Sequence, residues 1–289
     1  MAKRVSKKGE RSGTPLPVIP PHALIGMVHV RALPGTPFAR LGLDEIERIA
    51  VQEAMVLAGC GFDGIIIENM HDRPYVHGAH GPETTAGLTR IACAIRQRLP
   101  RMPMGVQVLS GGNKEALAIA LAAGAQFIRC ENFVFAHVAD EGLLTRAEAG
   151  ELLRFRKTIG AEHIQVWCDI KKKHASHAVT ADISIGDVAE GARFFGADAV
   201  IVTGSATGKP ADPRDLDRVK RATPEQRVFV GSGVSVDNVA EFLSRGNGVI
   251  VGSELKRGGV WSNDLEEKRC QRMADAVKQW RSSAAGGTR

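Results

Sequence analysis

An alternation repeated eight times constrains this chain more than any other feature. Short apolar runs of strand character fall at residues 24–28, 64–68, 104–109, 127–130, 165–170, 199–202, 227–230 and 248–251. Stretches with helical spacing follow them, at 43–58, 82–99, 114–123, 146–159, 185–195, 212–221, 236–245 and 264–281. Continuous apolar runs separated by one-sided helices are how strands buried on both faces of a parallel sheet read. Eight such units predict an α/β protein, a closed (β/α)8 TIM barrel. In the first helical stretch Ile46, Ile49, Ala50, Ala54 and Leu57 share a face, and Glu53 is the one acid on it. Gly59, Gly124, Gly196 and Gly246 stand where helices end, the place of a left-handed C-terminal residue. A doubly wound open sheet is the alternative, but it predicts a glycine-rich loop after the first strand. Here that strand runs into His29-Val30-Arg31-Ala32-Leu33-Pro34-Gly35 instead.

Composition supports one aliphatic core. Of 289 residues 44% are hydrophobic and only 5% aromatic, and no interdomain linker interrupts the pattern. The net charge of +6 belongs to the ends: residues 1–12 carry +4 and residues 281–289 carry +2, so 13–280 is balanced. A balanced body argues against nucleic-acid binding. The expected organisation is a disordered basic tail over 1–18, a barrel domain over 19–281 and a flexible tail over 282–289. Cys60, Cys93, Cys130, Cys168 and Cys270 are odd in number, widely spaced and without a CxxC pair, so free thiols in a reducing cytoplasm are expected. No apolar run is long enough to cross a bilayer, so no membrane insertion is expected, and the basic N-terminal region lacks the apolar core of a secretory signal.

Chemistry in such a barrel sits where the strands end. Strand after strand, the apolar run gives way there to polar residues: His29, then Glu68 and Asn69, Gln107, Arg129 with Glu131 and Asn132, Asp169 with Lys171 and Lys173, and Thr203. The candidate catalytic residues are His29, Glu68, Asn69, Gln107, Glu131, Asn132, Asp169 and Lys171. Adjacent strand residues point oppositely, so only one of Glu68/Asn69 and one of Glu131/Asn132 faces the centre. Asp169 and Lys171 stand two apart, on one face of a strand; such a pair suits enolisation or aldol-type chemistry, and its alternative is a salt bridge at a strand end. Glu68, Glu131 and Asp169 are also candidate ligands for a divalent cation such as Mg2+, although no cofactor is certain. His71, His77 and His80 match no zinc spacing. His174, His177, Asp140 and Glu141 lie in long loops that would cover the barrel mouth.

Two glycine segments follow the last two strands: Gly231-Ser232-Gly233 and Gly252-Ser253. Glycine lets the backbone approach a ligand, and amide N–H groups then meet an anion. The loops after strands seven and eight are where TIM barrels often hold phosphate. Gly204 and Ser205, in Thr203-Gly204-Ser205-Ala206-Thr207-Gly208, are further candidates. The alternative is a set of tight turns whose glycines only relieve strain.

Several of these segments resemble the BtpA/SgcQ-like family. They are Ile25-Gly26-Met27-Val28-His29 with Leu33-Pro34-Gly35-Thr36-Pro37, Asp63-Gly64-Ile65-Ile66-Ile67-Glu68-Asn69, Phe127-Ile128-Arg129, Asp169 with Lys173-His174, and Val202 through Gly208. The resemblance covers residues 24 to about 275. It implies a TIM barrel of the ribulose-phosphate-binding type. The family is named for photosystem I biogenesis, and other members sit among sugar-metabolism genes. Two departures stand at the presumed substrate face. The family commonly has Asn where this chain has Gln107, and a shorter ending to strand four than Arg129-Cys130-Glu131-Asn132.

The leading expectation is a cytoplasmic enzyme, a homo-oligomer, acting on a small phosphorylated sugar or nucleotide-derived compound by isomerase, lyase or aldol-type chemistry. A non-catalytic assembly factor for a membrane complex is one alternative and would show an exposed apolar patch. A divalent-metal-dependent hydrolase is the other.

Overall fold

Stacked aromatic rings fill the middle of the barrel. The computed structural model describes residues 18–78, 80–204 and 207–286. Its strands are β1 (Ala23–His29), β2 (Gly64–Glu68), β3 (Met104–Gln107), β4 (Phe127–Cys130), β5 (His137–Ala139), β6 (Gly142–Leu144), β7 (Gln165–Ile170), β8 (Ala175–Ser176), β9 (Ala199–Thr203), β10 (Arg227–Gly231) and β11 (Gly248–Val251). Eight of them, β1, β2, β3, β4, β7, β9, β10 and β11, pair in that order into a closed barrel, with β11 returning to β1. The barrel ladders are all parallel. Each barrel strand is followed by a helix: α1 (Leu43–Gly59), α2 (Pro82–Arg98), α3 (Asn113–Ala123), α4 (Ala149–Thr158), α5 (Ile185–Phe194), α6 (Pro213–Ala222), α7 (Val239–Arg245) and α8 (Glu267–Gly286). This is the (β/α)8 fold that the alternation predicts.

Period two along each strand divides its side chains between two cores. Ala23, Ile25, Met27, Ile66, Phe127, Trp167, Ala199, Ile201, Phe229 and Ile250 fill the barrel interior. Their neighbours, such as Leu24, Val28, Ile65 and Ile67, pack outward with the helices. Trp167 is sandwiched between Phe127 (ring centroids 3.8 Å apart) and Phe229 (4.0 Å). Three of the scarce aromatics thus meet at the centre. Gly105 makes room for this stack: a Cβ there would lie 2.2 Å from the Phe127 ring.

Helix ends follow local chemistry. Ser184 caps α5 in a reciprocal box with Asp187, and Asp212 caps α6 ahead of Pro213. Gly124 closes α3 in the left-handed conformation (φ 65°). Two glycine expectations need correcting. Gly59 lies inside α1, and Gly246 is extended (φ −117°) after α7. An added Cβ at Gly246 would sit 3.1 Å from the Val228 carbonyl oxygen, so close backbone approach is its reason.

The sequence pattern misses a small antiparallel sheet, β6–β5–β8. It joins the excursion after β4 to the loop after β7 above the barrel mouth. Two-residue and three-residue strands are too short for a readable period. The expected tail over 1–18 lies outside the described residues, apart from Val18. Helix α8 continues through 282–286, residues expected to be tail. No helix among the described residues is long and apolar enough to cross a membrane.

Candidate active site

One step of two residues beyond the apolar interior, the inward column turns polar. Met27 leads to His29, Ile66 to Glu68, Gly105 to Gln107, Phe127 to Arg129, Trp167 to Asp169, Ile201 to Thr203, Phe229 to Gly231 and Ile250 to Gly252. Register brings them level: His29 pairs with Glu68, Glu68 with Gln107, and Gly231 with Thr203. His29, Glu68, Gln107, Arg129 and Asp169 are all buried.

Arg129 grips Asp169 with two hydrogen bonds, Nε to Oδ1 and Nη2 to Oδ2, both 3.0 Å. Asp169 therefore touches the central cavity only through Arg129. His29 Nδ1 lies 3.2 Å from the Trp261 carbonyl oxygen. A carbonyl can only accept, so Nδ1 carries the proton and the neutral ring has its basic nitrogen at Nε2. That nitrogen stands 3.7 Å from Glu68 Oε2. Burial, then the Lys256 charge, drives the His29 pKa well below the ordinary histidine value. Burial raises the Glu68 carboxyl above its usual range, against the pull of Arg129 and Lys173. The two environments leave a neutral ring beside a carboxyl that holds its proton more readily, the pairing of a base with an acid.

Glu131 is bound on both oxygens. Lys172 Nζ donates to Oε1 at 3.1 Å and the Gly111 N–H to Oε2 at 3.1 Å. Burial alone would raise its pKa, but the Lys172 pair outweighs that and the pKa is lowered. Lys173 is lowered by burial and then by Arg129, with Glu68 opposing.

The two glycine segments open on one cavity of about 120 Å³. Ser232, Gly233, Gly252 and Ser253 line it, together with His29, Glu68, Arg129 and Lys173. Among the described residues, no hydrogen-bond partner takes the N–H of Gly233, Gly252 or Ser253. A second chamber of about 260 Å³ adjoins it, and the two share Glu68, Met70, Arg129, Lys173 and Thr207. Gln107, Glu131, Asp140, Glu141 and Trp261 line this second chamber. His174 closes the loops above it: its Nε2 accepts from the Thr207 N–H at 3.1 Å, and its Nδ1 is 3.8 Å from Asp140 Oδ2.

Several predicted residues are not brought to the cavity. Asn69 faces away and stitches loops, donating to Asp72 Oδ2 and the Leu109 carbonyl and accepting from the Leu109 N–H. Asn132 (φ 53°) donates to the Arg146 carbonyl and lines a separate lateral pocket. Lys171 lines neither chamber. Its left-handed backbone (φ 46°) breaks the alternation, and it lines the lateral pocket. Lys172 and Lys173 turn inward instead. Gly204 packs on the Lys209 carbonyl, 2.0 Å from where a Cβ would be, and does not line the cavity; Ser205 lies outside the described residues. Gly231 faces the Arg129 guanidinium, whose Nη2 would be 3.5 Å from an added Cβ.

Arg129 and Lys173 stand in the cavity although neither is among the candidate catalytic residues read from the sequence. The signal for Arg129 was its position two beyond Phe127. Nothing local announced that Lys173 would replace Lys171. Of the three candidate cation ligands, Asp169 is bound to Arg129 and Glu131 to Lys172, while Glu68 stands beside His29. Among the described residues no group of three or more His, Cys, Asp or Glu side chains is placed to hold a metal ion.

Comparison with known proteins agrees with this architecture. The BtpA family profile matches residues 21–279. An uncharacterised Caenorhabditis elegans protein, named as mitochondrial, is 44% identical over 258 residues, 88% of this chain and 92% of the relative. The photosystem I biogenesis protein BtpA of Synechocystis is 35% identical over 258 residues, 89% of this chain and 88% of the relative. Among solved structures, orotidine 5′-monophosphate decarboxylase of Methanocaldococcus jannaschii superposes with a TM-score of 0.57 at 14% identity, over 89% of this chain and 99% of that one. That last likeness is one of fold.

Proposed function

The chain belongs to the BtpA family, and from that premise we propose that it is an enzyme acting on a small phosphorylated metabolite by isomerase, lyase or aldol-type chemistry. One observation carries this reading: the loops after β10 and β11 meet at a single cavity that also holds Lys173 and Arg129. Backbone donors from Gly233, Gly252 and Ser253, with the Lys173 ammonium, would receive the phosphate. His29 and Glu68 stand at the wall of the same cavity and would move a proton on the carbon skeleton next to it. Arg129, kept charged and aimed by Asp169, would stabilise the oxyanion that forms when that proton leaves. The name of the Methanocaldococcus relative in fold specifies a phosphorylated substrate, which fits this reading. Five free cysteines suit the reducing cytoplasm in which we place the reaction.

An assembly role, as the Synechocystis relative's name describes, does not call for a neutral buried histidine 3.7 Å from a buried carboxylate. Thermal shift against matched pairs of phosphorylated and dephosphorylated small molecules tests the proposal. Stabilisation by phosphate esters alone is expected. Equal response to both members of every pair would overturn it.

A further inference from the structure

The second chamber, the one beside the phosphate cavity, has a lining that specifies the rest of the ligand. Gln107 is 2% exposed, yet its amide makes no hydrogen bond to any described residue, and Oε1 is buried without a partner. On the lid hairpin between β5 and β6, Glu141 has a side chain 9% exposed and points into the same chamber. Its Oε2 is also buried without a hydrogen bond, 3.9 Å from Lys172 Nζ. Buried polar groups are ordinarily satisfied, and each one left unpaired is costly. Gln107 Oε1 on a barrel strand has no partner and Glu141 Oε2 on the lid has only a long ion pair with Lys172, and together they mark where a ligand's polar groups belong.

The chamber is poorly suited to a nucleobase. A base is commonly held by stacking on an open aromatic face. Trp261 is engaged already, by the Arg73 guanidinium at 4.8 Å and the His71 ring at 5.1 Å. Tyr75, the other aromatic wall, donates its hydroxyl to the Met70 carbonyl at 2.8 Å. By contrast, a hydroxyl both donates and accepts, which matches an amide and a carboxylate alike.

Building on the phosphate reading above, we propose that the second chamber recognises a chain of hydroxyl groups, so that the substrate is a sugar phosphate and not a nucleotide. Gln107 and Glu141 take the hydroxyls, after the Gln107 amide turns its oxygen to the cavity, while the phosphate lies against Gly233, Gly252, Ser253 and Lys173 in the first cavity.

Calorimetric titration of the full chain tests this with inorganic phosphate, pentyl phosphate, ribose 5-phosphate, fructose 6-phosphate, adenosine 5′-monophosphate and ribitol. At least one sugar phosphate should bind about tenfold or more tighter than pentyl phosphate, as expected for two or more added hydrogen bonds. Gln107→Met and Glu141→Met should each remove much of that margin and leave inorganic phosphate and pentyl phosphate unchanged. Glu141 lies on the lid, outside the barrel, so its variant still reads the chamber if Gln107→Met folds poorly. Pentyl phosphate or adenosine 5′-monophosphate matching the best sugar phosphate would overturn the proposal. So would equal weakening of all esters by the variants. If no phosphorylated probe binds, the anion site fails by itself, and ribitol decides the chamber. Ribitol binding that both variants abolish supports it, and no ribitol binding sinks it.

Discussion

Arg129 Nε and Nη2 each stand 3.0 Å from an oxygen of Asp169, in a pair whose side chains are 4% and 2% exposed. The two residues are on neighbouring barrel strands, directly above the stacked Phe127 and Trp167 rings. Removing one partner of such a buried pair leaves an uncompensated charge, at a cost of about 3–5 kcal/mol. Asp169→Asn should therefore lower unfolding free energy by roughly that amount, besides reducing turnover. Denaturant titration checks it. A variant as stable as the parent would show that Glu68 alone suffices to balance Arg129.

Lys173, and not Lys171, should carry the charge at the anion site. Lys173→Met should weaken phosphorylated ligands by about tenfold or more, the usual worth of a charge-assisted hydrogen bond. Lys171→Met should leave affinity within about twofold, since surface changes away from a site rarely exceed a few tenths of a kcal/mol. Reversal of the two results in a binding titration would return the role to Lys171.

The phosphate loops call for a substitution that the backbone accepts. Gly233 (φ 64°) is unsuitable, because a Cβ there would lie 2.2 Å from the Lys209 carbonyl carbon. Ser253 lines the same cavity and has a side chain already. Ser253→Asp should place a carboxylate beside the bound anion and weaken phosphorylated ligands at least about tenfold more than uncharged ones. Equal weakening of both ligand classes would count against an anion site there.

Acid should destabilise the fold through its histidines. Burial, then other positive groups, lowers His29 well below its ordinary value and brings His71 and His137 to about 4. Unfolded, all three take a proton near pH 6.5. The unfolded chain therefore binds more protons below that pH, and stability present at neutrality is lost as pH falls from about 6.5 toward 4. Unfolding midpoints measured across this window should decline. His71→Gln and His137→Gln should each flatten the slope, and an unaltered slope in both would assign the decline to other groups.

Glu53, the single acid on the apolar face of α1, meets Lys256 at 2.7 and 2.8 Å, both groups buried. Lys256→Met alone should cost about 3–5 kcal/mol, because it strands the carboxylate. Adding Glu53→Leu should recover most of that loss, since an apolar pair of similar volume fills the same space. Failure of the double variant to regain stability would point to packing around Lys256, and not charge, as the source of the loss.

Local periodicity carries much of this protein. Repeats of an apolar run and a one-sided helix determine a barrel because parallel strands between helices have few other ways to bury both faces. Period two then determines which strand-end residues can face inward, and it separates Glu68 from Asn69. The glycines after β10 and β11 announce loops that approach a cavity. Other features depend on where a strand stops and what it then meets. Alternation ends with β7, and the left-handed backbone at Lys171 hands the site to Lys172 and Lys173. The lid sheet joins segments more than thirty residues apart, and Lys256 finds Glu53 across 203 positions. Those choices belong to the tertiary structure, because a side chain's partner across the barrel, unlike its neighbour along the strand, leaves no period in the chain.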